Sequence, residues 1–366
     1  MIGSMWEILV SIITFLGNLL FFNINPLFIN TPYPSPKIDP LLATVSSLSL
    51  EEKIRQTLVC GFSGNNLNDY ASIQSKCGNI IYLKNSLLGL SDTDIIKING
   101  HIHQNDPLSW IMIDQEGGRV NRLKDGSPSP RQMAENNSVA YWGEEHGKLL
   151  KKLGFDVNLA PVADITENNS AIKNRSFADD PAVNGQMATV YLQALQDQGI
   201  IGVVKHLPGH GRVDYDSHKK LASLKYSWEE IQNFDLVPFI DTIHGGAKIV
   251  MIGHIIIPEL DSTPSSISRP VLEKLRAALP FSDDLIFITD SLSMKGVGLP
   301  VGQAIVEAFL SGEDMVILED TQETEFFDTL ILLYQNGTLD IKRLDQSVYR
   351  ILKIKSQFGK SMTSPQ

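Results

Sequence analysis

The feature that most constrains this chain is an alternation. Eight short apolar runs recur along it: Thr57–Gly61, Asn79–Leu83, Ser109–Asp114, Asp156–Ala160, Ile200–His206, Lys248–His254, Leu285–Asp290 and Asp314–Leu318. They are rich in β-branched residues and almost continuously hydrophobic, as parallel strands covered on both faces must be. Helical patterns separate most of them: Asp92–His103, Arg131–Lys152, Pro181–Gln198, Trp228–Ile243, Ser268–Leu279 and Gly302–Leu310, with Thr321–Leu333 and Leu339–Phe358 closing the chain. Eight strands with intervening helices predict an α/β fold, a single (β/α)8 TIM-type barrel whose working loops lie at the strand C-terminal face. The length of 366 residues is ordinary for such a barrel, and 43% apolar content supplies a large core.

The termini read differently from the body. Ile8–Phe22 is apolar but is interrupted by Ser11, Thr14 and Asn18, and it is short for a membrane span of about 20 residues. It has no basic start, since the first basic residue is Lys37, and no small-x-small cleavage site follows. Pro26, Pro32, Pro34, Pro36 and Pro40 then predict a non-helical linker. The expected division is an extension and linker over 1–47, a barrel domain over 48–360 and a tail over 361–366. Cys60 and Cys77 are the two cysteines of the chain, so neither a disulfide framework nor a cysteine zinc site is expected. Together these features predict a cytoplasmic protein, with membrane association or export through Ile8–Phe22 as the alternative.

Charge narrows the partners. Lys and Arg number 31 against 42 Asp and Glu, a net charge of −11, which argues against nucleic-acid binding through a basic surface. In the last helix Leu344, Val348, Ile351 and Leu352 share one face and the basic residues crowd the rest, the pattern of a helix covering a barrel.

In a barrel, function sits just beyond the strand C-termini, and there the polar residues gather. The third run ends in Asp114–Arg122, the fifth in Lys205–Gly211 leading on to Asp214, Asp216 and His218, the sixth at His254 and the seventh in Thr289–Met294. Buried charges cost several kcal/mol unless paired, so four such strand ends point to one site.

These segments, with Asn174-Arg175-Ser176-Phe177 before Asp180-Pro181, resemble glycoside hydrolase family 3, and Lys205–His218 resembles the loop that marks its bacterial β-N-acetylhexosaminidase branch. The resemblance covers about Leu48 to Phe358. Ser291 departs from it, standing where a second acidic residue is common. The resemblance implies a retaining exo-β-N-acetylglucosaminidase, acting on terminal β-linked N-acetylglucosamine of small glycans such as peptidoglycan-derived muropeptides, without a cofactor or metal. It makes Asp290 the nucleophile and the Asp216–His218 pair the acid/base, and it assigns Asp114, Arg122, Arg175, Lys205 and His206 to sugar binding.

The residue types suit those roles. A carboxylate at the end of an apolar strand is held rigidly at the barrel mouth, and a histidine titrates near neutrality, where a neighbouring carboxylate stabilises its protonated form. Gly209 and Gly211 are expected to let the loop move, and Glu116 to pair with a cation such as Arg119. Two other readings remain. His206, His210, Asp216 and His218 look like a metal-ligand set, although Pro208 and Gly209 prevent a helix from aligning them. A catalytically inactive sugar-binding protein is the other, and Asp290, Asp216 and His218 are all present against it.

Overall fold

The computed structural model describes residues 39–62, 70, 73–166, 172–213, 221–319 and 326–360. The described residues from Leu41 onward make one compact unit. Its centre is a closed barrel of eight parallel strands: β1 Leu58–Phe62, β2 Asn79–Tyr82, β3 Trp110–Ile113, β4 Val157–Asn158, β5 Ile201–Leu207, β6 Ile249–Ile252, β7 Ile286–Ser291 and β8 Met315–Leu318. Each pairs with the next in sequence, and β8 closes on β1 with Val316 opposite Leu58. All eight predicted runs are therefore strands of one barrel, with ends shifted by a few residues.

Helices surround it: α1 Leu50–Thr57, α2 Asp92–Asn105, α3 Val139–Leu153, α4 Pro181–Gln196, α5 Val237–His244, α6 Arg269–Ala278, α7 Val301–Ser311, α8 Phe327–Gln335 and α9 Ile341–Gln357, besides shorter helical turns. Local chemistry sets their starts. Ser49 and Ser91 form capping boxes with Glu52 and Asp94, and Asp180 caps α4 with Pro181 in its first turn. Pro40 works the same way: it opens a helix over Pro40–Ser47 inside the predicted non-helical linker, because a first-turn proline lacks only an N–H that has no partner there. The predicted helix Arg131–Lys152 is two, Pro130–Glu135 and α3, with Asn137 at φ 52° between them. Trp228–Ile243 is interrupted by a π turn at Ile231–Asp235. Ile8–Phe22 lies outside the described residues, and among those described no helix is long and apolar enough to cross a membrane.

Alternate strand residues fill the barrel. Val59, Ile81, Met112, Val203, Met251 and Ile288 belong to one interior cluster, which Ile351 and Ile354 of α9 join. The other strand faces pack under the helices. At the strand N-termini Lys355 is fully buried, donating to Gln56 Oε1 and Asn79 Oδ1 at 2.8 Å each, with its ammonium 4.8 Å from the Trp110 ring. Burial pushes its pKa down to about 7.

The cysteines correct the sequence reading. Cys60 and Cys77 are joined by a disulfide, their Cα atoms 6.0 Å apart. They are 17 residues apart in sequence, but Cys60 lies on β1 and Cys77 just precedes β2, and pairing of these parallel neighbours brings the two together. That proximity belongs to the barrel, not to the spacing.

Candidate active site

At the strand C-termini lies a cavity of about 650 Å³. Asp114, Arg122, Arg175, Lys205, His206 and Asp290, six of the predicted site residues, all line it. They reach it from the ends of β3, β5 and β7 and from the loops that follow β3 and β4. Asp216 and His218 fall in 214–220, outside the described residues.

Strand irregularities aim these side chains. Successive residues of a regular strand face opposite ways, yet Lys205 and His206 both line the cavity, as do Asp290 and Ser291. The register of β5 against β6 shifts between Val204 and Leu207, and that of β7 against β8 shifts between Ile288 and Ser291. Such bulges turn a neighbouring residue to the same side. Asp290 Oδ1 accepts the Ser291 N–H at 2.8 Å.

The floor is an ion-pair network. Lys205 Nζ lies 2.6 Å from Asp114 and 2.7 Å from Glu116. The Arg175 fork donates to both Glu116 oxygens at 2.8 and 2.9 Å, and Arg122 lies 3.4 Å from Asp114. Glu116 thus pairs with Arg175 and Lys205 and not with Arg119, because the Gly117-Gly118 turn sends Arg119 out to an exposed position. Gly117 has φ 96°, and a Cβ there would meet Pro128 O at 2.3 Å, so only glycine fits. Burial would raise the Glu116 pKa, but Arg175 and Lys205 outweigh it and hold the carboxyl well below its usual range. For Lys205, burial alone would lower the pKa; Asp114 and Glu116 reverse this and keep the ammonium charged.

Asp164, absent from the sequence reading, organises the other wall. Its Oδ2 lies 2.7 Å from His206 Nδ1, and its Oδ1 accepts the His206 and His210 backbone N–H groups at 3.1 and 2.7 Å. The carboxylate fixes the His206 ring with its proton on Nδ1 and turns Nε2 toward Arg175, 3.5 Å away. Burial, reinforced by His206, pushes His210 down to about 4. Asp164 was findable: it stands four residues beyond the predicted run Asp156–Ala160, where strand-end acids belong.

Gly211 differs from expectation. A Cβ there would fall 1.4 Å from Ile165 O, so this glycine permits close backbone packing and is not a source of freedom. His254 is fully buried between Ser266 Oγ and Ser291 O, at 2.7 Å from each, and braces the strand end beside Asp290. Among the described residues no group of three or more His, Cys, Asp or Glu could hold a metal. His206 and His210 share Asp164, while Asp216 and His218, the other two residues of the metal-ligand reading, lie outside the described residues.

A cation-lined, carboxylate-bearing pocket at the C-terminal mouth of a (β/α)8 barrel is a site for a polar, hydroxyl-rich molecule, and its class is that of a barrel hydrolase acting on glycosides. Residues 49–354 match the family described as Glycosyl hydrolase family 3 N terminal domain. The chain belongs to that family and is a glycoside hydrolase. It is 31% identical over 331 residues to the beta-hexosaminidase LpqI of Mycobacterium tuberculosis, covering 84% of this chain and 83% of the relative. A Pseudomonas aeruginosa beta-hexosaminidase is 36% identical over 217 residues, 56% of this chain and 64% of that protein. Among solved structures, M. tuberculosis LpqI superposes with a TM-score of 0.79 at 29% identity, covering 86% of this chain and 96% of that one. A family 3 β-N-acetylglucosaminidase from Paenibacillus also gives 0.79, at 28% identity, over 85% of this chain and 63% of that one.

Proposed function

We propose that the protein is a retaining exo-β-N-acetylglucosaminidase that releases terminal N-acetylglucosamine from small glycans, peptidoglycan-derived muropeptides among them. The observation that carries this is the convergence of Asp290 with Asp114, Arg122, Arg175, Lys205 and His206 on one cavity at the barrel mouth. The similarity to beta-hexosaminidases supports the sugar.

Asp290 attacks the anomeric carbon and forms a glycosyl ester, while protonated His218 gives its proton to the departing aglycone oxygen. Neutral His218 then takes a proton from water, which attacks the same carbon from the opposite face and frees Asp290. Two inversions give net retention. Asp216 keeps His218 oriented and stabilises its charged form. Asp114 and Lys205 bind ring hydroxyls, with Arg122, Arg175 and His206 completing the sugar pocket. Residues 48–360 constitute the hydrolase, with 1–47 an accessory extension and 361–366 a tail.

The Cys60–Cys77 bond favours an oxidising compartment and removes the cysteine argument for the cytoplasm. The exported alternative is therefore the one we adopt, and recovery of the native protein solely from a cytoplasmic fraction overturns it.

The test of function is product analysis on N-acetylglucosamine–anhydro-muramic acid, followed by NMR with and without phosphate. The expected result is β-N-acetylglucosamine appearing first, independently of phosphate. An α-anomer first, no cleavage, or equal rates on p-nitrophenyl β-glucoside and β-N-acetylglucosaminide overturns the reading.

A further inference from the structure

A circuit of polar contacts leaves Gln115 by two branches that meet at Asp125. Gln115 stands between Asp114 and Glu116, both in the cavity wall, on a hairpin whose other strand, Val120–Asn121, leads into Arg122. One branch runs within the hairpin. Gln115 Nε2 donates to Asn121 Oδ1 at 3.0 Å, and Asn121 Nδ2 donates to Asp125 Oδ1 at 2.7 Å. The other branch passes through the helices that cover the barrel. The Gln115 backbone N–H donates to Asn158 Oδ1 at 2.9 Å, Asn158 Nδ2 donates to the Tyr191 hydroxyl at 3.3 Å, and that hydroxyl lies 2.6 Å from His146 Nδ1. His146 Nε2 lies 3.2 Å from Asp125 Oδ2 and completes the circuit.

The donors and acceptors of the two branches agree. Burial would raise the Asp125 pKa, but His146 and Ser127 outweigh it and hold the carboxyl well below its usual range. An ionised carboxylate only accepts, so His146 Nε2 carries a proton toward it, and in the neutral ring Nδ1 accepts the Tyr191 O–H. Asn158, His146 and Tyr191 are buried, so a partner lost at one point is not replaced by bulk water. Asn158 Nδ2 also donates to Gln115 O at 2.8 Å, and Gln115 Oε1 accepts the Leu123 N–H at 3.1 Å. Both peptides flanking Gln115, and the residue after Arg122, are thereby tied to one side chain or the other. His146 belongs to α3 and Tyr191 to α4, and Gly143, one turn before His146, lets the helices approach: a Cβ there would meet Tyr191 O at 2.6 Å.

We propose that His146, acting through Tyr191 and Gln115, is a positioning residue that fixes Asp114, Glu116 and Arg122 at the spacing the sugar requires. The proposal rests on the glycosidase reading above. Without His146, Tyr191 and Asp125 each lose a partner, and the hairpin is held by its inner branch and by Asn158 alone.

The experiment measures KM and kcat on p-nitrophenyl N-acetyl-β-glucosaminide for the wild type, Tyr191→Phe, His146→Leu and His146→Gln. KM does not depend on the fraction of molecules folded, so a purely structural defect lowers kcat and leaves KM where it was. Tyr191→Phe and His146→Leu should each raise KM about tenfold, the worth of one well-placed hydrogen bond, with kcat within about twofold of the wild type. His146→Gln keeps one acceptor and one donor and should return KM to within about threefold. If His146→Leu does not fold, Tyr191→Phe, which removes a single oxygen, decides. An unchanged KM in Tyr191→Phe, or a glutamine variant no better than a folded leucine one, overturns the positioning role alone. Failure of the wild type to cleave p-nitrophenyl N-acetyl-β-glucosaminide overturns the glycosidase reading and this proposal with it.

Discussion

Asp164 holds His206 by both main chain and ring: its Oδ1 accepts the backbone N–H at 3.1 Å and its Oδ2 lies 2.7 Å from Nδ1. A single carboxylate therefore sets both where the histidine sits and which nitrogen faces the cavity. Asp164→Asn replaces one acceptor by a donor and lets the ring adopt the other tautomer. We expect kcat/KM to fall on the order of 10- to 100-fold, as for carboxylates behind ligating histidines. The loss should be non-additive with His206→Ala, since the two act as one unit. Full additivity in the double variant would separate them.

The roles proposed for Asp290 and His218 differ in how their loss responds to the leaving group. Asp290→Ala should impair every substrate alike. His218→Ala should spare a dinitrophenyl glycoside, which departs without a proton, and slow a sugar aglycone by about 10²–10⁴-fold more. Azide should accelerate the His218 variant on the activated substrate and yield a β-glycosyl azide. Equal impairment on both substrates, without azide rescue, would place the proton donor elsewhere.

Lys355 should make stability depend on pH. Its folded pKa is pushed down to about 7 by burial, against 10.5 ordinarily. Between those values the unfolded chain binds more protons, so stability rises with pH from about 7 to about 10, by at most about 1.4 kcal/mol per unit. Lys355→Met removes that slope, at a pH-independent cost from taking the Lys355 donor away from buried Gln56 Oε1, whereas Asn79 Oδ1 keeps the Trp110 backbone N–H at 3.3 Å. Urea unfolding of both proteins at pH 7, 8 and 9 is the check, and a constant difference between them would show that Lys355 stays charged when folded.

The Cys60–Cys77 bond closes a short loop between β1 and β2. Replacing both cysteines by alanine should cost about 3 kcal/mol in unfolding free energy. Reducing agent should destabilise the wild type and leave the variant unchanged. Two titratable thiols in the purified, unfolded wild type would refute the bond.

The barrel was legible in the chain because its determinants are local. A strand buried on both faces needs continuous apolar residues, and β1 to β8 all carry that signal within a few positions of their ends. Asp114, Lys205 and Asp290 were legible for the same reason, since in this fold the residue that ends a strand is the residue at the mouth. Partnership was not legible. Glu116 is closer in sequence to Arg119 than to Arg175 or Lys205, yet the Gly117-Gly118 turn carries Arg119 outward and barrel closure brings the distant cations in. Asp164 reaches His206 across 42 residues, and Cys60 meets Cys77 because β1 pairs with β2. Backbone periodicity is written residue by residue, whereas a hydrogen bond or ion pair depends on two side chains within about 3 Å, and that distance exists only once the eight strands have closed on one another.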